Sequence, residues 1–427
     1  MTVNKLSGFL IVQIKIKITN ERDDFMTQFY KAYCRVFQKV MMVMECFLPW
    51  GEPFMLTGPG SIRKLPNLIK EKGLKKVLIV TDKGLTSLGL LNSLYEEMDK
   101  AGVEYVVYDG TQPNPTIENI EEAKDMYLKN GCQGIIAFGG GSPMDCAKIA
   151  AARVVKPNQP VEKMRGLMKI LRPLPPFFAV PTTAGTGSEC TLAAVVSNSK
   201  THEKNACNDP FLRPRYAVFD PELTVGLPPH ITSTTGIDAL THAVEAYIGK
   251  SNVKSTTQYA EKATKMIFQN LETAYTDGKN IEARNNMLLA SYYAGMAFTR
   301  AYVGYVHAVA HNLGGQYGIP HGLANAVILP VMLESYGSAV YTPLAKLADI
   351  VGIKGDSNEA KAKAFIAEIY AMNERMGIPK GFTQIQEKDI PVIVERALKE
   401  GNPLYPVPVI YGEEEMTKIV KSLMIKE

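Results

Sequence analysis

The sequence predicts an α/β half built on a parallel sheet, followed by an all-helical half. Three observations carry this. Strands apolar on both faces, such as KVLIVTD (Lys76–Asp82) and GIIAFGG (Gly134–Gly140), alternate with helical segments in the first half. After about Pro229 the strand patterns stop, and apolar residues recur at the 3.6-residue period to the C-terminus. A chain of 427 residues is too long for a single core. The expected division is an N-terminal extension and helix at 1–49, an α/β domain at 50–229 and a helical domain at 230–427, with the boundary near LPPHI (Leu227–Ile231).

In chain order, IVQIKIKI near the N-terminus reads as a strand, and no small-residue cleavage site follows a long apolar run, so a signal peptide is not expected. Arg35–Leu48 reads as a helix apolar nearly all round: a core-docked helix first, a membrane-surface helix second. Translation starting at Met26 is a further possibility for this region. GPGSIRKLPNLIKEKG is a turn and a helix. The strand at Lys76–Asp82 is followed by a helix to about Ala101, then by the strand VEYVVYD (Val103–Asp109). PNPTIENIEEAKDMYLKNG opens at a Pro-Asn-Pro turn and continues as a helix. PPFFAVPTT and RYAVFD (Arg215–Asp220) complete the strands. In the second half, Gly249, Gly304, Gly314–Gly315, Pro320, Pro330, Gly352 and Gly377 are expected to punctuate the helices.

A near-balanced formal charge of +4 argues against a nucleic-acid binder, whose basic residues would dominate a face. The unbroken apolar runs fall short of the roughly 18 residues that span a bilayer, so no stable membrane insertion is expected. Six scattered cysteines, none in a C-x-x-C pair, read as reduced thiols of a cytoplasmic protein and give little support to a zinc–thiolate site.

Four of the six histidines fall between Thr235 and His321. Asp238 precedes His242 by four residues, and His307 precedes His311 by four. At helical spacing each pair shares one face, one turn apart. His321 follows Pro320 in a Gly-x-Pro-His-Gly turn that can aim a further imidazole at the same point. Imidazoles with one carboxylate suit zinc or ferrous iron. Spacing alone does not separate ligands from neighbours among these residues.

A second cluster reads as an anion site. FGGGSPMDCAK (Phe138–Lys148) joins a strand to a helix. Its glycines allow close backbone approach, Ser142 can cap the helix with Pro143 at its first position, and the free N–H groups at the helix N-terminus favour a phosphate. The plainer alternative is a tight strand–helix turn. Asp82 ends a buried strand, where an acid meets ribose hydroxyls and disfavours a 2′-phosphate, hence NAD over NADP; the alternative is a helix N-cap. PTTAGTGSE (Pro181–Glu189) supplies hydroxyls and glycines after another strand.

GPGS, LIVTDKGL, PNPTIENI, GGGSPMDCAK, PTTAGTGSE, DPELTVGLPP, TGIDALTHAVEAY and GYVHAVAHNLGGQYGIPHGLANAVILP together resemble the iron-containing (group III) alcohol dehydrogenases, from about Trp50 to the C-terminus. The resemblance implies a dinucleotide-binding α/β domain with a dehydroquinate synthase-like helical domain, cofactor and metal meeting between them. It implies Asp238, His242, His307 and His321 as metal ligands, and His311 as a histidine near the nicotinamide rather than a ligand. For the cofactor it implies Asp82, Asn114, Gly140, Gly141, Ser142, Thr182, Thr183, Thr186, Thr191 and Lys204. GNPLYPVPV looks like the family's Asn-Pro element but lacks flanking residues often seen there. A homodimer is also implied.

The expected reaction is reversible oxidation of a small alcohol to an aldehyde or ketone by hydride transfer to NAD, with Fe2+ or Zn2+ as metal and His311 as a candidate proton relay. A zinc polyol (glycerol-type) dehydrogenase, a transiently NAD-using lyase and a nucleotide-binding protein without catalysis are the competing readings. Phe298, Tyr302 and Tyr305 are candidate pocket residues, with core packing as the alternative.

Overall fold

The computed structural model describes residues 28–48, 50–197 and 204–425. The strand expected at IVQIKIKI and the possible start at Met26 lie outside them. In the first half, strands β1 (Phe54–Thr57), β2 (Lys76–Val80), β3 (Glu104–Tyr108), β4 (Gly134–Gly139), β6 (Phe177–Pro181) and β9 (Tyr216–Phe219) form one parallel sheet in the order β1-β9-β6-β4-β2-β3. β2, β4 and β6 lie inside the sheet, which is why their sequences are apolar on both faces. Their side chains alternate between two cores. Leu78, Val80, Ile135, Ala137, Phe177 and Ala179 pack under α5 (Ile117–Lys129) and α6 (Gly141–Val155). Val77, Ile79, Ile136, Phe138, Phe178 and Val180 pack under α2 (Leu65–Glu71) and α4 (Asn92–Ala101).

Three strands escaped the sequence reading. β5 (Gly166–Leu167), β7 (Ala193–Ser197) and β8 (Lys204–Asn208) make a second sheet ordered β5-β8-β7. β5 is only two residues long, and β7 alternates half-buried with buried positions instead of being buried throughout. The helix expected up to Ala101 is two: α3 (Lys83–Ser87) and α4, separated around Gly89, whose φ of 68° no helix accommodates.

Among the described residues, strands of the two sheets end at β9 and helices follow. α7 (Pro229–Ile248) is buried nearly all round and packs against α8 (Lys254–Thr276), α9 (Ile281–Ala301) and α11 (His321–Tyr336). α10 (Tyr305–Tyr317) lies between α11 and α14 (Ile390–Gly401). Gly314 and Gly315 sit inside α10 and Pro330 inside α11, so these three do not punctuate as expected. α10 stops instead at Gly318, left-handed at φ 69°. α12 (Tyr341–Val351), α13 (Asn358–Arg375) and α15 (Glu413–Ser422) complete the half. The stretch His321–Val351 is long and apolar enough to cross a membrane by composition, but 61% of its apolar window is buried in this core.

Helix α1 (residues 28–45) departs from the core-docked expectation. Only one face is docked: Cys34, Gln38 and Glu45 are buried. Arg35 donates to Val407 O at 2.7 Å and Pro408 O at 2.9 Å, and Gln38 to Tyr405 O at 2.8 Å. The other face exposes Phe29, Val36, Val40 and Phe47. Glu45 accepts from the Tyr302 hydroxyl, and burial pushes its carboxyl from 4.5 up to about 7. A carboxyl with a raised folded-state pKa binds its proton more tightly when folded, so its contribution is full below pH 4.5 and is lost as pH rises towards 7. Glu45→Gln is therefore expected to raise the thermal midpoint at pH 8, by about 2 °C, and to leave it nearly unchanged at pH 5. Thermal unfolding followed by circular dichroism at both values checks this; an equal shift at both would contradict it.

Candidate active site

The histidine cluster is built by three helices. Asp238 and His242 stand one turn apart on α7, and His307 and His311 one turn apart on α10. After Gly318 turns the chain, Pro320 precedes α11 in extended conformation (φ −56°, ψ 134°), and His321 is the first residue of that helix. Gly322 lets this first turn lie against α7: a Cβ there would sit 2.7 Å from Thr234 O.

One donor atom from each of Asp238, His307 and His321 falls within 4.8 Å of the others. His321 Nε2 is 3.6 Å and His307 Nε2 3.9 Å from Asp238 Oδ1. His242 is outside this tight group but borders it. Its ring stacks on His307 at 4.5 Å between centroids and on Phe298 at 4.1 Å, and its Nδ1 is buried without a hydrogen-bond partner. His311 stacks on His321 at 5.0 Å.

Three polar residues at the cluster were not picked out from sequence. Asn325 Nδ2 lies 2.6 Å from Asp238 Oδ1, 3.1 Å from His307 Nε2 and 3.2 Å from His321 Nε2. Its spacing of four from His321 was the available signal. Glu245, buried on α7, meets His307 Nδ1 at 2.6 Å and accepts from the N–H groups of Gly304 and Val306. Burial pushes Glu245 up to about 8 and holds His307 well below the ordinary imidazole range. Glu400 on α14 meets His311 Nδ1 at 2.6 Å; nothing local in the sequence points to it.

Of the aromatic candidates, only Phe298 stands at the cluster. Tyr302 is bonded to Glu45, and Tyr305 is buried, donating to Asn402 Oδ1 at 2.8 Å. Tyr305 follows the core-packing alternative.

Among the nucleotide candidates, Asp82, Gly140 to Ser142 and Thr182 to Thr186 follow the carboxyl ends of β2, β4 and β6, and Asn114 follows that of β3. Asn114 N–H donates to Ser142 Oγ at 3.2 Å. Gly140 faces Thr183 and Gly141 faces Thr186, where an added Cβ would meet them at 3.1 Å and 3.0 Å. Thr182 N–H donates to Gly139 O. Ser142 does not cap α6: the cap position is Gly140, extended and without a side-chain bond, so the N–H groups at that end are not capped by a side chain. Asp82 does cap α3, its Oδ1 accepting from Leu85 N–H at 3.0 Å. Thr191 is engaged by Lys148, whose Nζ also donates to Ser188 Oγ and the carbonyls of Thr191 and Ala193, joining α6 to the threonine loop. Burial lowers Lys148 to about 8. The side chain of Lys204 lies outside the described residues.

A parallel sheet with a glycine turn at its carboxyl edge, joined to helices bearing a His/Asp cluster, is the architecture of a dinucleotide- and metal-dependent oxidoreductase. A family profile described as iron-containing alcohol dehydrogenase matches residues 53–221, and one for the C-terminal part of the Fe-containing alcohol dehydrogenase family matches 232–424. The chain is 37% identical over 392 residues to alcohol dehydrogenase 4 of Schizosaccharomyces pombe, covering 90% of each. It is 39% identical over 373 residues to 1,3-propanediol dehydrogenase of Citrobacter freundii, covering 85% of this chain and 95% of that one. A crystal structure of 1,3-propanediol oxidoreductase superposes with a TM-score of 0.85 at 36% identity, over 88% of this chain and all of the other. The chain belongs to the iron-containing alcohol dehydrogenase family. It is an alcohol dehydrogenase, interconverting an alcohol and its carbonyl compound with NAD, and iron is the family's metal.

Proposed function

We propose that Asp238, His242, His307 and His321 hold the iron, and that a small linear alcohol or diol is the substrate. The observation that carries this is the approach of Asp238, His307 and His321 donor atoms to within 4.8 Å. The orphaned Nδ1 of buried His242 and the Glu245 carboxyl on the far nitrogen of His307 support it. The donor set is three imidazoles and one carboxylate, which suits Fe2+ and accommodates Zn2+. Bound there, a divalent cation acidifies a substrate hydroxyl and polarises a carbonyl. The substrate class draws on relatives named 1,3-propanediol dehydrogenase and lactaldehyde reductase.

Around that centre the chain's own residues orient the reactants. The glycine turn at the N-terminus of α6 receives the dinucleotide's phosphates, and Thr182, Thr183 and Thr186 flank them. Asn114, Ser142, Thr191 and Lys204 belong to the same cofactor set. Asp82 accepts from ribose hydroxyls and repels a 2′-phosphate, favouring NAD over NADP. Phe298 walls the apolar side. His311 would take the hydroxyl proton onward to solvent, and NAD, when bound, would supply the acceptor for the carbinol hydride. The division at 50–229 and 230–427 separates these two roles. A homodimer and a cytoplasmic setting complete the reading; the free state of all six cysteines supports the latter.

The test is metal exchange with a substrate panel. Chelation under anaerobic conditions is expected to abolish NADH formation from C2 to C6 alcohols and diols, and Fe2+ to restore it more fully than other divalent ions. Retained turnover in metal-free protein would overturn the assignment.

A further inference from the structure

Glu400 lies on α14, across from α10, at the rim of the site. Its Oε1 is 2.6 Å from His311 Nδ1 and also accepts from the Tyr405 hydroxyl at 3.0 Å. Tyr405 is itself fixed at both ends of its peptide unit. Its N–H donates to Gly401 O at 2.7 Å, and its carbonyl accepts from Gln38 of α1. Glu400 therefore cannot swing freely between partners. The tautomer that pairs with a carboxylate oxygen facing Nδ1 at this distance is Nδ1–H, which leaves Nε2 as the ring's acceptor. Free neutral imidazole side chains carry no such bias from the backbone; here it is imposed from α14. The His311 ring is further stacked on His321, its plane tilted only 14° from that ring's.

We infer that Glu400, steadied by Tyr405, is the positioning residue that fixes the His311 ring with Nδ1 protonated and Nε2 available to the hydroxyl proton of the alcohol. This rests on the relay reading of His311 given above. The logic is that of a carboxylate orienting a histidine base, with the carboxylate touching neither substrate nor cofactor. Atoms balance simply: the hydroxyl proton passes by His311 Nε2 to water, the carbinol hydride passes to NAD, and Glu400 gains and loses nothing. Glu400 immediately precedes the segment GNPLYPVPV, which carries Tyr405.

The test uses the full-length, iron-loaded enzyme for kinetics and histidine-selective 15N labelling for the tautomer; with six histidines the spectrum is tractable. In the wild type, His311 is expected as the Nδ1–H tautomer. Glu400→Ala is expected to shift it towards Nε2–H, to lower kcat about 10-fold to 100-fold with KM and metal content little changed, and to be largely rescued by Glu400→Asp. In a His311→Ala background, Glu400→Ala is expected to cost nothing more. An Nε2–H tautomer in the wild type, or an undiminished Glu400→Ala penalty without His311, overturns the assignment. If His311→Ala lowers kcat and Glu400→Ala does not, the relay stands and Glu400 is not its partner. If neither variant lowers kcat, the relay reading itself falls and takes the assignment with it.

Discussion

His307→Ala is expected to yield a folded protein that no longer retains iron and that oxidises alcohols at least about a thousandfold more slowly, since metal acidification of a hydroxyl spans several kcal/mol of barrier. His307 is the best-anchored of the clustered donors. It is 2% exposed, its Nε2 faces Asp238, and its Nδ1 is fixed by Glu245. Its ring is therefore already oriented before any cation arrives, which is what a tight site requires. The fold should survive the substitution for a reason visible in Glu245. Burial raises the pKa of that carboxyl, so when the imidazole goes it takes up a proton more readily than an ordinary carboxylate and is not stranded as a buried anion. It also keeps its bonds from the Gly304 and Val306 N–H groups. Metal content by elemental analysis, steady-state NADH formation and a thermal melt, taken together, check the three parts of this expectation. A variant that kept its iron would show that His307 is structural.

The sheet half was legible because buried parallel strands leave an unmistakable mark: Val77–Val80, Ile135–Phe138 and Phe177–Val180 are apolar in every position and alternate between two cores. The second sheet was not, because β5 is two residues long, β7 is only half-buried on one face, and β8 (KNACN) is polar and apolar by turns rather than an apolar run. Asp238 with His242, and His307 with His311, were legible as candidates because helical spacing places each pair on one face; the choice of Asp238, His242, His307 and His321 as ligands came from the family resemblance. The partners that set their geometry were less so. Asn325 was within reach of the same rule, four residues beyond His321. Glu245 was within reach of it too, three residues beyond His242 on α7, whereas Glu400 reaches His311 across 89 residues and has no local signal. The helix before Trp50 was read as a helix correctly, but its docking was not. Its apolar residues are spread all round, and only hydrogen bonds from Arg35 and Gln38 to distant carbonyls decide which face turns inward.

Gly140→Val is expected to weaken NADH binding about 100-fold while leaving iron content and the thermal midpoint nearly unchanged. The three glycines of the turn do different things. Gly139 has φ 146°, a conformation closed to other residues, and a Cβ there would press on Pro143 at 2.6 Å. Gly140 has φ −79°, ordinary for any residue, so a side chain there is a question of space and not of backbone strain. That space is the notch between the turn and the threonine loop, where a Cβ meets Thr183 Oγ1 at 3.1 Å and Cγ2 at 3.3 Å. Thr183 can yield by a few tenths of an ångström, and the staple from Lys148 to Ser188 and Thr191 keeps the loop in place, so the fold tolerates the change. The two further methyls of valine then stand over the N–H groups at the start of α6. Losing two hydrogen bonds to a charged phosphate, at about 1.5 kcal/mol each, gives roughly 3 kcal/mol, or about 100-fold in affinity. Titration of the iron-loaded variant with NADH, followed by the quenching of protein fluorescence, measures it. An unchanged dissociation constant would place the dinucleotide elsewhere on the sheet edge. A lowered thermal midpoint with unchanged affinity would mean that the glycine serves the packing of the turn against Thr183, and that the notch is part of the core and not of the cofactor's bed.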